Sequence, residues 1–193
     1  GIIDWKDQVV IGQSGMPKWN FSTFTSFKWK NWSIDALFQG ATGYTVNFGD
    51  AAGYGGISGH QTVAKKYQFE NRSLLGANGD IEVLRKFPPA FTTGGLPQSD
   101  TRSNDFTKID AFYLRLKTLN ITYNLPKSLT SSLGLDYVQV YGSGSNVLTF
   151  DNFDVYSGSY DPEIITSAGD GGGGVDRAYP NVKTWTAGLK IGF

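Results

Sequence analysis

Between Trp19 and Ala41 the chain reads WNFSTFTSFKWKNWSIDALFQGA, and polar and apolar residues trade places at almost every step. Trp19, Phe21, Thr23, Thr25, Phe27 and Trp29 alternate with Asn20, Ser22, Phe24, Ser26 and Lys28. Successive side chains of a strand point to opposite faces, so this period of two fits a sheet with two different surroundings. Phe24 is the one intruder on the polar side. After Lys30 and Asn31, the set Trp32, Ile34, Ala36, Phe38 and Gly40 resumes against Ser33, Asp35, Leu37, Gln39 and Ala41. The pattern predicts two strands, 19–29 and 32–41, joined as a hairpin by a short turn.

Three more segments carry the same signature. In AFYLRLKTLNITYN, 111–124, Phe112, Leu114 and Leu116 share one phase and Leu119, Ile121 and Tyr123 the other. A one-residue change of phase predicts a β-bulge near Thr118. DYVQVYGSGSNVLTF gives a strand over 136–150. TWTAGLKIGF gives the last, 184–193, with Trp185, Ala187, Leu189, Ile191 and Phe193 on one face. No long helix is predicted, so the fold class expected is all-β.

The lengths of the connections narrow the architecture. Two are short and two are long, roughly 42–110 and 151–183, and in an antiparallel meander the long ones share one end. Outer-membrane barrels have this asymmetry, with short periplasmic turns and long extracellular loops. The C-terminus then falls on the periplasmic side. Trp19 and Trp29 bracket a strand of about 33 Å at ~3.3 Å per residue. A tilt of ~45° turns that into ~23 Å of height, close to the ~25 Å apolar band between aromatic girdles. Trp19, Trp29, Trp32 and Tyr123 are the expected girdle residues. Charges fall on the other faces, at Lys28, Asp35, Arg115, Lys117 and Lys190. A transmembrane antiparallel barrel fits these facts, and a soluble carbohydrate-binding β-sandwich is the alternative, since it too has one apolar face per strand. Five strands cannot close a barrel alone, because the smallest single-chain barrels use eight.

Composition removes several functions. The 17 basic residues balance 17 acidic ones, which argues against nucleic acid as a partner. Cysteine is absent, so disulfides, thiol nucleophiles and cysteine-bound zinc are excluded. His60 is the only histidine and sits in GGISGHQ without a nucleophile motif, so no catalytic site and no cofactor are expected; a barrel hydrolase is a further alternative that would have to use it. GSGSN, Gly142–Asn146, lies inside a strand pattern and opens no helix, so it fails as a phosphate loop. The acidic stretch from Asp151 to Asp176 offers Asp161, Glu163 and Asp170 as weak calcium candidates, with solvated carboxylates as the plainer reading. Tyr44, Phe48, Tyr54, Tyr67, Phe69, Phe87, Phe91, Phe153, Tyr156 and Tyr160 populate the long loops. Such rings suit sugar stacking and loop packing alike, and packing is the favoured expectation.

Several of these segments together are similar to one family. Asp110–Phe150, Phe27–Gly43, the YDPE of Tyr160–Glu163 and the closing TWTAGLKIGF resemble the C-terminal region of SusC/RagA-type TonB-linked outer-membrane transporters of Bacteroidetes. The resemblance covers nearly the whole chain in order, the 42–110 loop being individual. It implies about the last five strands of a 22-stranded plugged barrel, the plug domain lying outside this chain. It further implies import of oligosaccharides or other large nutrients, a SusD-like surface lipoprotein as lid, and energy from TonB through the plug. Trp185, Leu189, Ile191 and Phe193 would form the C-terminal signal read by the barrel-assembly machinery, with the bilayer as the remaining partner.

Overall fold

In a computed structural model, the described residues are 6, 9–47, 66–85, 108–164 and 180–193. Their main feature is a five-stranded antiparallel sheet made of β1 (Trp19–Trp29), β2 (Trp32–Asn47), β5 (Lys108–Asn124), β6 (Tyr137–Asp151) and β7 (Thr184–Gly192). Strand order follows chain order, β1-β2-β5-β6-β7, so neighbours in the sheet are neighbours among these strands in the sequence. A second, two-stranded sheet pairs β3 (Leu74–Leu75) with β4 (Ile81–Val83).

Local chemistry explains the short connections. Lys30 takes a left-handed conformation, φ 52°, and turns β1 directly into β2. Between β5 and β6 a single helical turn and a half, α2 (Lys127–Ser132), follows Pro126, whose carbonyl accepts from the Leu129 N–H at 3.0 Å. Gly134 at φ 70° ends it, and the Leu135 N–H returns to the Thr130 carbonyl at 3.0 Å, as in a glycine-terminated helix. A six-residue helix, α1 (Lys66–Asn71), precedes β3.

Two strands run further than their alternation indicated. β2 continues to Asn47 and β5 starts at Lys108. The extra residues of β2 include Tyr44, Thr45 and Val46, all buried, so a two-faced pattern vanishes there although the backbone stays extended. Gly43, at φ 76°, marks the change. The bulge appears where β5 changes phase: the register steps from Leu116↔Leu148 to Thr118↔Ser145, leaving Asn146 and Val147 opposite Lys117 alone. Asn146 accommodates the step at φ 52°.

The chain forms two compact units. One contains Lys18–Thr42, Phe112–Asp151 and Pro180–Phe193, that is, most of the large sheet. The other draws on Gly1–Pro17, Gly43–Ala111 and Asn152–Tyr179. Within the second, the Thr45 N–H donates to the Ser14 carbonyl at 3.0 Å, and Thr45 Oγ1 donates to Asp110 Oδ1 at 2.7 Å. Asn152 Nδ2 donates to the Asp110 carbonyl at 2.7 Å, and Tyr44 Oη donates to the Pro162 carbonyl at 3.3 Å. Phe153 and Tyr156 of the same unit lie fully buried.

Glycines of the large sheet serve as seats for aromatic rings. Directly across from Gly40, Gly144, Gly188 and Gly192 stand Phe21, Trp185, Tyr141 and Tyr137. A Cβ added at Gly144 would lie 2.8 Å from the Trp185 ring, and one at Gly188 would lie 2.5 Å from Tyr141 Oη. Gly142 differs, its nearest neighbour being the Thr186 carbonyl at 3.9 Å. Overpacking of this kind costs about 1–3 kcal/mol. Gly144→Ala is therefore expected to lower the folded fraction of the full-length protein, read as heat-modifiable migration on unheated gels, whereas Gly142→Ala leaves it unchanged. Equal behaviour of the two variants would remove the steric account.

Candidate functional site

The functional element is the large sheet's pair of unlike faces, and the register defines both. In β1 and β2 the directly opposed pairs Trp29–Trp32, Phe27–Ile34, Thr25–Ala36, Thr23–Phe38 and Phe21–Gly40 carry no charge. The alternate pairs Asn20–Ala41, Ser22–Gln39, Ser26–Asp35 and Lys28–Ser33 are polar, with Phe24–Leu37 the single apolar pair among them. Ser26 Oγ donates to Asp35 Oδ1 at 2.6 Å, so this face satisfies itself across the strands.

The division continues through β5, β6 and β7. Below the bulge, Leu119–Gly144, Ile121–Gly142 and Tyr123–Val140 pair on one side, joined by Val140–Leu189, Val138–Ile191 and Gly142–Ala187. On the other lie Asn120–Ser143, Asn124–Gln139, Gln139–Lys190 and Ser143–Thr186. Gln139 Nε2 donates to Asn124 Oδ1 at 2.8 Å. Above the bulge, Arg115 is buried and its Nε donates to Thr149 Oγ1 at 3.0 Å, while Phe112, Leu148 and Phe150 are exposed.

Nothing among the described residues covers the apolar face. Every residue of β1 is exposed, including Trp19, Phe27 and Trp29, and so are Trp32, Val140, Trp185, Leu189 and Ile191. Burying one such side chain yields about 1.5–3 kcal/mol. A contiguous patch of them in water would exceed what soluble monomers normally expose. A sandwich would lay a second sheet here, yet the second sheet described is only the β3–β4 hairpin.

The expected girdle residues sit at strand ends. Trp29 and Trp32 are cross-strand partners beside the Lys30 turn, and the Tyr123 ring lies 4.6 Å from that of Trp32, tilted by 42°. Trp19 lies at the opposite end of β1, paired with Thr42. Trp185, Leu189 and Ile191 project from β7 on the apolar side, and Phe193 follows the strand almost fully exposed.

The loop residues divide. Tyr44, Phe153, Tyr156 and Tyr160 are buried and so cannot present faces to a sugar; the Tyr156 and Tyr160 rings pack 6.4 Å apart. Phe69 is exposed with the Arg72 guanidinium 4.5 Å over its ring. Tyr67 opens the second position of α1, and its side chain is outside the description, as are Phe48, Tyr54, Phe87, Phe91 and His60 altogether. Asp161 Oδ1 accepts the Glu163 N–H at 3.0 Å, a local turn contact, and Asp170 lies outside the described residues. Among the described residues, no three carboxylates or histidines gather as a metal site. The Gly142–Asn146 run is part of β6. The seats at Gly40, Gly188 and Gly192 escaped the sequence reading, because cross-strand register sets them and the alternation of a single strand does not encode it.

A meander with one bare apolar face, one self-paired polar face and rings at its strand ends is a section of transmembrane β-barrel wall. No family model matches the chain. It is, however, 28% identical over 202 residues to TonB-dependent receptor P3 of Formosa agariphila, and 27% identical over 208 residues to TonB-dependent receptor P26 of the same organism. Both matches cover 100% of this chain, which spans 18% of either receptor's length. Among solved structures, the RagAB peptide transporter superposes with a TM-score of 0.53 at 28% identity, over 86% of this chain and 16% of that one. The chain is thus similar, over its whole length, to part of the barrel of TonB-dependent receptors of the SusC/RagA type. These relatives are receptors and transporters rather than enzymes.

The two faces make opposite demands on substitution. Phe38 faces Thr23 near the middle of the apolar band, and Gln39 faces Ser22 on the polar side. Arginine at a lipid-facing midplane costs about 2–4 kcal/mol. Phe38→Arg should sharply reduce the folded protein recovered from outer membranes, and Gln39→Arg should leave it near the wild-type level. Immunoblots of membrane fractions decide the matter, and the reverse order would mean that the faces are assigned the wrong way round.

Proposed function

We propose that this chain forms the last five strands of a 22-stranded plugged barrel that imports large nutrients across the outer membrane. The observation that carries this reading is the two-faced sheet with its uncharged, uncovered outer pairs. Supporting it are the similarity to two TonB-dependent receptors and the likeness to a structure described as a peptide transporter. The chain contributes wall, closing strand and extracellular loops. Gating and coupling to TonB belong to a plug outside these residues. The cargo is an oligosaccharide or a peptide, each too large for passive diffusion, and a SusD-like lipoprotein closes the extracellular side as a lid.

In this reading the short turns and the C-terminus face the periplasm. β7 pairs along its open edge with the barrel's first strand, and Trp185, Leu189, Ile191 and Phe193 present the apolar, aromatic-ended pattern that the assembly machinery recognises. Such a strand tolerates no fraying, since each unsatisfied backbone group in hydrocarbon costs several kcal/mol.

Deletion of the gene is expected to abolish uptake of one labelled pool, oligosaccharide or peptide, and loss of TonB should have the same effect. Uptake of both pools at wild-type rates in the deletion strain would refute the importer. Separately, Phe193→Ala should lower the surface level of the full-length protein several-fold; normal surface levels would dismiss the assembly signal while leaving transport untouched.

A further inference from the structure

We infer that the apolar face of β5, β6 and β7 holds the acyl chain of an inner-leaflet phospholipid, with Lys30 and Lys127 attracting its phosphate; this rests on the membrane-barrel reading above. The first sign is a furrow. Gly142 stands opposite Ile121 on one side and Ala187 on the other, so side-chain volume collapses at the centre of this face. One apolar depression is lined by Leu119, Ile121, Gly142, Trp185 and Ala187, and a second by Trp32, Ile121, Tyr123, Val140 and Gly142. They share Ile121 and Gly142 and therefore run into each other.

The furrow is left open by choice of residue. At Gly40, Gly144, Gly188 and Gly192 a ring from the neighbouring strand occupies the space a side chain would need. At Gly142 nothing does, and a Cβ would find its nearest neighbour 3.9 Å away. A glycine in a strand interior weakens the strand unless something approaches closely. The walls of the furrow are almost wholly apolar, which disfavours a sugar or peptide and suits a flexible hydrocarbon chain.

Charge selects the headgroup. The end of the furrow at Trp32 and Tyr123 is the short-turn end of the sheet. The Asn124 N–H donates to the Asn31 carbonyl at 2.9 Å, which fixes the β1–β2 turn against the end of β5. That bond ties the turn carrying Lys30, whose ammonium lies 4.8 Å over the Trp29 ring, to the end of β5, three residues before Lys127 at the start of α2. Asp136, an acid at this end, is tied toward β7 by its backbone, its N–H donating to the Gly192 carbonyl at 2.9 Å. Two lysines beside an aromatic pair at the headgroup level complement a phosphate.

The test is native mass spectrometry of the full-length protein extracted from outer membranes in mild detergent, with bound phospholipid quantified after extraction. The wild type is expected to retain phospholipid. Gly142→Leu with Ala187→Leu fills the furrow, and Lys30→Glu with Lys127→Glu reverses the charge; each pair should cut retention at least tenfold, the loss of two basic contacts to a lipid phosphate alone being worth about thirtyfold. If the furrow variant does not insert, the lysine variant decides, because its changes lie outside the strands. A wild-type protein free of phospholipid, or lysine variants that retain it fully, would overturn the inference. Absence of the wild type from the outer-membrane fraction would instead remove the barrel reading itself.

Discussion

Backbone hydrogen bonding sets the terms for this molecule. In hydrocarbon an N–H or C=O group without a partner costs several kcal/mol, so a sheet can cross a membrane only with every ladder filled. The order β1-β2-β5-β6-β7 fills four interfaces between strands and leaves the outer edges of β1 and β7 to other strands. A sheet with an uncovered apolar face and two open edges is sound only as a portion of a closed wall. The 18% share of the related receptors that this chain spans agrees with that. Side-chain chemistry follows from the same requirement: once the wall is set in lipid, one face must be apolar and the other is free to be polar.

Much of this was legible in the sequence because alternation is a direct imprint of the two surroundings. The hairpin at Lys30 and Asn31 could be read from Trp19–Ala41, and the step near Thr118 from the switch between Leu116 and Leu119. Legibility ended where the surroundings became alike. From Ala41 to Val46 the residues of β2 are largely buried whichever way they point, so the strand's last turns left no period of two. The seats formed by Gly40, Gly144, Gly188 and Gly192 depend on cross-strand register, which single-strand alternation does not encode.

The loops show the same limit for function. The aromatic residues of the long connections fit glycan stacking and packing equally well on composition. Burial of Tyr44, Phe153, Tyr156 and Tyr160 assigns those four to packing and leaves Phe69, under the Arg72 guanidinium, as an exposed ring. Solvent exposure, rather than residue type, separates a ring that can meet a ligand from one that holds a loop together. A ring that meets a ligand therefore has to be sought among exposed loop residues.

This chain carries no cysteine of its own, so with any cysteine elsewhere in the full-length protein replaced the central claim is directly measurable. Single cysteines placed in turn from Ser33 to Gln39 of the full-length protein, in intact outer membranes, can be reacted with a membrane-impermeant maleimide and with a lipid-soluble probe. The account predicts strict alternation: positions 34, 36 and 38 take the lipid-soluble probe and resist the aqueous one, while 33, 35, 37 and 39 behave the opposite way. Uniform aqueous labelling along the strand would contradict it and return the sheet to water.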